Sequence, residues 1–596
     1  MSGYRLAAPH GAWIDRSQSL SFEFNGRAVS GFAGDTVASA LLAQGTTLVG
    51  RSYKLHRPRG IFSCGVEEPT GLVDVGLGAL RTPNTRATDI LARDGLHTVS
   101  GNGWPSLEFD LAASIEKFAA FLPAGFYYKT FMWPNWHLFE PTIRRMAGLG
   151  VAADASDPER YDEVSVNTEV LVVGAGLAGL QAALSAARAG REVLLLEADV
   201  KAGGWALSQA MLGDAATARQ LASLRSALAQ AGVAVQTRST VLGLYDHNLA
   251  TAIESPADAN APGAVRERLW KIRAKQIILA TGSFERPMLF PDNDRPGVML
   301  ANAVQRYASH YGVACGKRVV LATACDSAYG VALALRSAGI EVAAIVDRRA
   351  AHEVGNGLAA AAGVPVLLES VLVGVKGKSA VQGVQVAGIG GGKLQSIAAD
   401  VVASAGGHTP NVNLYSQAGG QLKWLADAAM FVPERLLSGI AVVGAAAGVF
   451  NLDAALAHAE QVGRITPGSL MPEAPSGGAG QVSANNQPPA PALATLKGKP
   501  GKQFVDLQND VASNDIELAA RENYRSVELL KRYTATGMAS DQGKTATSTR
   551  WCCWAMRAIA RRSRSAPPSS AHRSNRSRST PCRVAATANA TARSNA

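Results

Sequence analysis

The chain has 596 residues, with 58 Lys and Arg against 47 Asp and Glu, for a formal charge of +11. Ten arginines and no lysine or acid fall in residues 545–596, leaving 48 basic against 47 acidic residues before them. The basic balance therefore belongs to the tail and is no argument for nucleic-acid binding. Six cysteines in this length do not suggest a disulfide framework. Only Cys64, Cys315 and Cys325 precede the tail, without metal-ligand spacing. Residues 1–15 lack the apolar core of a signal peptide, and no uncharged apolar run reaches the ~18 residues of a membrane span. The expectation is a cytoplasmic, membrane-free protein of several domains.

Residues 20–28 alternate into an Asn25–Gly26 turn, and residues 29–32 pair back as a hairpin. A helix is expected over 35–44 with Asp35 as its N-cap. Hairpin then helix suits a β-grasp domain, placed at 15–110. In the loop 52–76 a plant-type ferredoxin needs a C-x₄-C-x₂-C run. Only Cys64 is present, so no iron–sulfur cluster is expected. Lys54, His56, Arg57 and Arg59 read either as a solvated basic loop or as a contact with another chain or a nucleotide. Residues 126–145 are aromatic and hold two prolines, hard to place as one helix. They read as a packing or interface segment within a connection at 111–165, or as ordinary core aromatics.

Residues 169–197, EVLVVGAGLAGLQAALSAARAGREVLLLE, form a βαβ unit with a dinucleotide fingerprint. Gly174 permits the tight turn, Gly176 admits backbone to a pyrophosphate, and Gly179 lets helix and strand pack. The helix N-terminus offers N–H groups to phosphates. Ala175 lies inside the turn. Glu197, 18 residues past Gly179, is placed for a ribose 2′-OH. The fingerprint alone does not separate FAD from NAD.

Gly203 and Gly204 can let backbone pass near the nucleotide. A strand over 271–282 ends in Ala280–Thr281–Gly282, a recurrent turn of two-dinucleotide flavoproteins. A second βαβ unit is expected over 316–347, but its turn, TACDSAYG, lacks the glycine pattern. Strands at 400–405 and 439–444 are read as returning to the first nucleotide domain. FAD enzymes of this type place an Asp after the glycine equivalent to Gly444; here Ala445 follows, which favours NAD. Asp453 offers a partial substitute. The module spans 166–465, with an inserted domain at about 300–395. Residues 466–502 read as a linker. Residues 503–544 read as a small helical domain, capped at Asn514–Asp515 and Ser526. From 545 the sequence reads as a basic disordered arm or, preferably, as an out-of-frame translation. His56, His310, His408 and His458 are scattered and read as structural. No catalytic constellation or metal set is visible.

The RPRGIFSCGVEEP loop, the VVGAGLAGLQAAL fingerprint, LATGSFERPMLFPDNDRPGVML, VGAAAGVFNLDAAL and FVDLQNDV…KRYTATGMASDQGK together resemble the α subunits of heterotetrameric sarcosine oxidases. The β-grasp and central domains also resemble hydrogen cyanide synthase and opine oxidase subunits. The resemblance implies an α/β fold: a two-dinucleotide-binding, Rossmann-like flavoprotein-type module, preceded by a ferredoxin-like β-grasp domain without its cluster and followed by a small helical domain. Relatives with a cluster in that last domain carry Cys pairs; here Asp506, Gln508 and Asp541 stand in that neighbourhood, so no cluster is expected. The implied activity is oxidative demethylation of sarcosine to glycine, with formaldehyde or methylene-tetrahydrofolate and hydrogen peroxide. FAD and covalent FMN lie on a β subunit, NAD lies on this chain, and γ and δ subunits complete the complex. Family α subunits continue past the equivalent of Lys544 into a tetrahydrofolate domain, from which this sequence departs. This chain alone is expected to be inactive. A non-catalytic nucleotide-binding scaffold is the remaining reading.

Overall fold

A computed structural model describes residues 4–257, 263–425, 428–435, 437–466, 501–524 and 526–546. The expected linker falls almost wholly outside them, as does the expected tail. Thr545 and Ala546, the first residues of that tail, are buried.

Two compact units are present. The first draws its described residues from Met1–Pro158, Glu285–Gly407 and Ala484–Ala566. It opens with the hairpin Asp15–Phe24 and Arg27–Ala33. Asn25 and Gly26 both have positive φ, as the tight two-residue turn requires. Phe22, Phe24 and Val29 point to the core on alternate positions. Strands His97–Ser100, Leu72–Val75 and Thr82–Arg86 complete a five-stranded sheet. The helix Val37–Ala43 is capped by Thr36, in a capping box with Ser39, not by Asp35. Asp35 instead accepts from Arg5, Phe32 N and Ser39 Oγ.

The loop that wraps a cluster in ferredoxins is organised here around one carboxylate. Glu68 accepts from the backbone N–H groups of Phe62, Ser63, Thr70 and Gly71 at 2.6–3.0 Å. The preceding basic run is not solvated but buried and paired within this unit. Arg57 and Arg59 are 7% and 2% exposed. Arg57 Nε donates to Asp294 Oδ2 at 2.6 Å and Nη2 to Asp292 Oδ1 at 2.7 Å, and Glu116 pairs with Nη1. Arg59 bridges Asp294 and Asp510. Both guanidinium groups lie over the Phe504 ring, at 5.3 and 5.0 Å. His56 Nδ1 pairs with Asp110 at 2.8 Å, and Lys54 lies 3.8 Å from Asp515. Burial alone would raise the Asp294 carboxyl; Arg59 and Arg57 hold it down at about 2.

The same unit contains a parallel sheet in the order Val298–Leu300, Val401–Ala405, Arg318–Thr323, Glu341–Asp347, Val366–Leu367. The expected βαβ is present, with helix Ser327–Ser337. The strand read at 400–405 belongs to this second sheet and not to the first nucleotide domain. The C-terminal segment has a hairpin, Phe504–Asp506 with Val511–Ala512, that its helical pattern did not reveal. Helix Ser513–Arg521 starts at Ser513, so Asp515 is its third residue and reaches back to Ala512 N at 2.9 Å. Ser526 occupies the cap position of Val527–Thr534 without a side-chain cap bond. Asp506 accepts from Asn509 N and Gly537 N, and Gln508 pairs with Ser540. Burial, then the Asp506 charge, push the Asp541 carboxyl up to about 6.

The second unit takes its described residues from Glu159–Phe284 and His408–Ser483. Its sheet runs Ala234–Gln236, Val193–Leu196, Arg160–Val173, Val265–Leu279, Leu249–Glu254, Ser239–Tyr245, with Ile440–Val442 also against Val265–Leu279. Val170 and Val172 face one core, Leu171 and Val173 the other. Both faces are covered, which explains the unbroken apolar run before Gly174. No described helix is long and apolar enough to cross a membrane.

Two measurements check this packing. Arg59→Met leaves Asp510 buried without its guanidinium and should cost about 3–5 kcal/mol in urea unfolding; a loss under 1 kcal/mol would contradict the network. Asp541 has a folded pKa raised above its ordinary value of 3.8. Folding therefore takes up a proton, and stability falls as pH rises through the range above 3.8 in which this carboxyl ionises. Asp541→Asn removes that loss. Urea midpoints of variant and parent should coincide near pH 4 and diverge, variant higher, by pH 6.

Candidate dinucleotide site

The fingerprint strand Arg160–Val173 ends at Gly174, whose φ is +100°. A Cβ there would meet Ala280 O at 2.4 Å. At Gly179 it would lie 1.9 Å from Gly174 O, so the helix Leu177–Arg188 can approach the turn only with glycine at this position. Gly176 differs: a Cβ there meets nothing within 4 Å. The space over Gly176 is thus open on the protein side, as the close approach of a pyrophosphate requires. No side chain caps this helix, so its first N–H groups remain available to an anion. The cradle therefore fits a dinucleotide pyrophosphate.

The other predicted residues gather around the turn unevenly. Gly203 donates from its N to Ala175 O at 2.8 Å and forms a bridge with Gly176. Gly204 lies close enough that a Cβ would be 3.2 Å from Gly176 Cα. Glu197 is buried; its Oε2 accepts from Ala175 N at 2.6 Å and its Oε1 from Asp199 N at 2.9 Å. It thus braces the turn from the end of the next strand, and the Ala175 N–H is directed to it and not to a phosphate. Ala280 N donates to Val173 O, which fixes the Thr281–Gly282 turn beside Gly174. Thr281 Oγ1 donates to Asn411 O at 2.7 Å. Gly444, with φ +66°, opens the short helix Gly444–Ala447; a Cβ on it would be 2.8 Å from Ala178 Cβ. Asp453 is exposed in the first turn of Leu452–Arg464. A cavity of about 360 Å³ lined by Leu180, Lys201, Ala202, Arg225 and Leu228 lies nearby, but none of the predicted site residues lines it.

At the carboxyl ends of the second sheet, Arg349 is buried against Asp347 and Asp326, and Tyr329 OH donates to Asp347 at 2.9 Å. The acid at the end of the second strand is consumed internally, leaving it no freedom for a ribose. Sequence reasoning missed this knot and Glu285, which burial, then Glu67, push up to about 8. Glu285 accepts from Asn302 N at 2.8 Å. The acid after the ATG turn was the available signal. Among the histidines, His310 stacks on Trp13 at 4.0 Å, His458 is buried, and His408 lies 5.9 Å from the Phe450 ring. Among the described residues no group of three His, Cys, Asp or Glu could hold a metal.

Three domain families match: a 2Fe-2S iron-sulfur cluster binding domain over 17–103, pyridine nucleotide-disulphide oxidoreductase over 168–459, and the sarcosine oxidase A3 domain over 500–591. Cys64 is the sole cysteine in 17–103, too few to hold a cluster, so the first match is one of fold. The third continues through the compositional change at 545. The chain is 44% identical over 91% of its length to the sarcosine oxidase alpha subunit of Rhizobium meliloti (strain 1021), covering 55% of that protein. It is 27% identical over 49% of its length to an opine oxidase subunit of Agrobacterium tumefaciens (strain Ach5), covering 65% of it. The crystal structure of L-proline dehydrogenase from P. horikoshii aligns with TM-score 0.60 at 18% identity, covering 94% of each chain, a likeness of fold. The chain spans about half the length of the sarcosine oxidase relative it matches, and it belongs to the sarcosine oxidase alpha-subunit family of oxidoreductases.

Proposed function

We propose that this chain is the NAD-holding alpha subunit of a cytoplasmic sarcosine oxidase. The complex would demethylate sarcosine oxidatively to glycine, with formaldehyde, or methylene-tetrahydrofolate when folate is present, and hydrogen peroxide. FAD and covalent FMN on a beta subunit supply its redox chemistry, and gamma and delta subunits complete it. The supporting observation is the open space over Gly176, framed by Gly174 and Gly179, which have no room for a side chain. The helix N-terminus and Gly176 take the pyrophosphate, and Glu197 takes the adenosine ribose through the acceptor capacity its two N–H bonds leave. Ala445 following Gly444 removes the acid expected for a flavin, which favours NAD. The chain's own residues then bind and orient the nucleotide, and the amine is oxidised on the partner. An opine-oxidising complex is the second reading, supported by the weaker opine oxidase likeness.

Oxygen uptake by the reconstituted complex separates these readings. Sarcosine should support turnover, and octopine should not; the reverse would overturn the substrate assignment. The cradle has a sharper check. Gly176→Ala should leave the urea midpoint of the chain unchanged and lower retained nucleotide at least tenfold, because the new methyl occupies ligand space alone. Gly179→Ala should destabilise the fold itself, by the 1–3 kcal/mol typical of overpacking or more. Equal nucleotide content in Gly176→Ala and the parent would remove the pyrophosphate from this position.

A further inference from the structure

Exposed aromatics are concentrated in one segment of the first unit. Trp104, Phe109, Phe118, Phe121 and Trp133 are 59–86% exposed, and Leu138 is 65% exposed. They sit on successive short elements. Leu111 N donates to Trp104 O at the start of the 3-10 helix Leu111–Phe121, and Thr130 Oγ1 donates to Phe121 O. Ring contacts then run from Phe126 to Phe131 and from Phe131 to Phe139, in the helix Trp136–Met146. That helix contains Pro141 and has no buried residue. Short helices owe most of their stability to a packed face, so this one lacks the contact that would sustain it.

We infer that this segment is the docking face for a separate protein chain with an apolar centre and acidic rim. This inference rests on the proposed role in a multi-chain oxidase. At 150–250 Å² per aromatic side chain, the five exposed rings alone offer roughly 700 Å². A stable interface buries ~800 Å² on each partner. Charge selects the occupant. The acids of the segment are all engaged within the chain: Glu108 with Arg27, Asp110 with His56, Glu116 with Arg57 and Glu140 with Arg144. Lys117 and Arg145 are exposed and, among the described residues, have no ion pair. A partner must therefore bring carboxylates. Residues 547–596 carry no acid, and 467–500 carry one, so neither stretch supplies them. A second copy across a two-fold axis would set the same uncompensated cations on both sides. A membrane-surface helix carries a strongly basic polar face, whereas residues 104–151 hold four acids and four Lys or Arg.

The test is affinity for the beta subunit by surface-immobilised binding, with light scattering and anionic-vesicle flotation of the chain alone. Phe121→Ser with Trp133→Ser should weaken binding at least 30-fold, the loss of one hot-spot residue or more, with unchanged nucleotide content and urea midpoint. Lys117→Glu with Arg145→Glu should slow association about tenfold at low salt and converge on the parent at high salt. Leu394→Ser, exposed outside the segment, should bind as the parent does. Aromatic variants that bind within threefold of the parent would overturn the docking face while leaving the multi-chain role intact. A parent chain that fails to bind any beta subunit would overturn both. A parent homodimer, or vesicle binding, that the aromatic variants abolish would reassign the face to that occupant and overturn the inference.

Discussion

Two arginines, one residue apart, hold the first unit together. Arg57 and Arg59 converge on Asp294, and through Asp292 and Asp510 they join the β-grasp loop, the start of the second sheet's segment and the C-terminal hairpin. Burying guanidinium groups is costly unless they are fully paired. The network meets that condition with four carboxylates, Glu116, Asp292, Asp294 and Asp510, and the face of Phe504. Asn293, between the two acids, donates to Phe504 O and accepts from Phe504 N, both at 2.8 Å. The charged knot and this backbone-like pairing set where the C-terminal segment lies. Losing one charge strands the others, which makes the arrangement specific as well as stabilising.

The domain matches an iron–sulfur family and has one cysteine where a cluster needs several. Glu68 takes over the organising part of that role by drawing four backbone N–H groups onto one carboxyl group. In the C-terminal segment Asp506 and Asp541 likewise accept backbone N–H groups from the loops around them. Carboxylates thus hold loops in shape in both places, at the cost of burying acid, and the raised Asp541 pKa is the trace of that cost.

Features set by local backbone were legible in the sequence. The Asn25–Gly26 turn, the 174–179 glycine spacing and the second βαβ each follow from a few adjacent residues. Long-range features were not. The acids that neutralise Arg57 and Arg59 lie 235 and 451 positions away, so a basic loop looked solvated. The strand Val401–Ala405 is apolar and parallel, and nothing local says which of two sheets it enters. At the site, the glycines gave the cradle, but the bonds from Ala175 N and Asp199 N to Glu197 depend on how the next strand aligns. The exposure of the 104–151 aromatics was unreadable as well, because composition cannot tell a core ring from a docking ring.

The proposed role of the chain rests on one nucleotide. The direct measurement is mass-spectrometric identification and stoichiometry of the nucleotide released when the purified chain is denatured. The cradle geometry and Ala445 predict about one NAD per chain and no flavin. A stoichiometric flavin, or no nucleotide from a chain that is folded and has been supplied with NAD, would contradict the account.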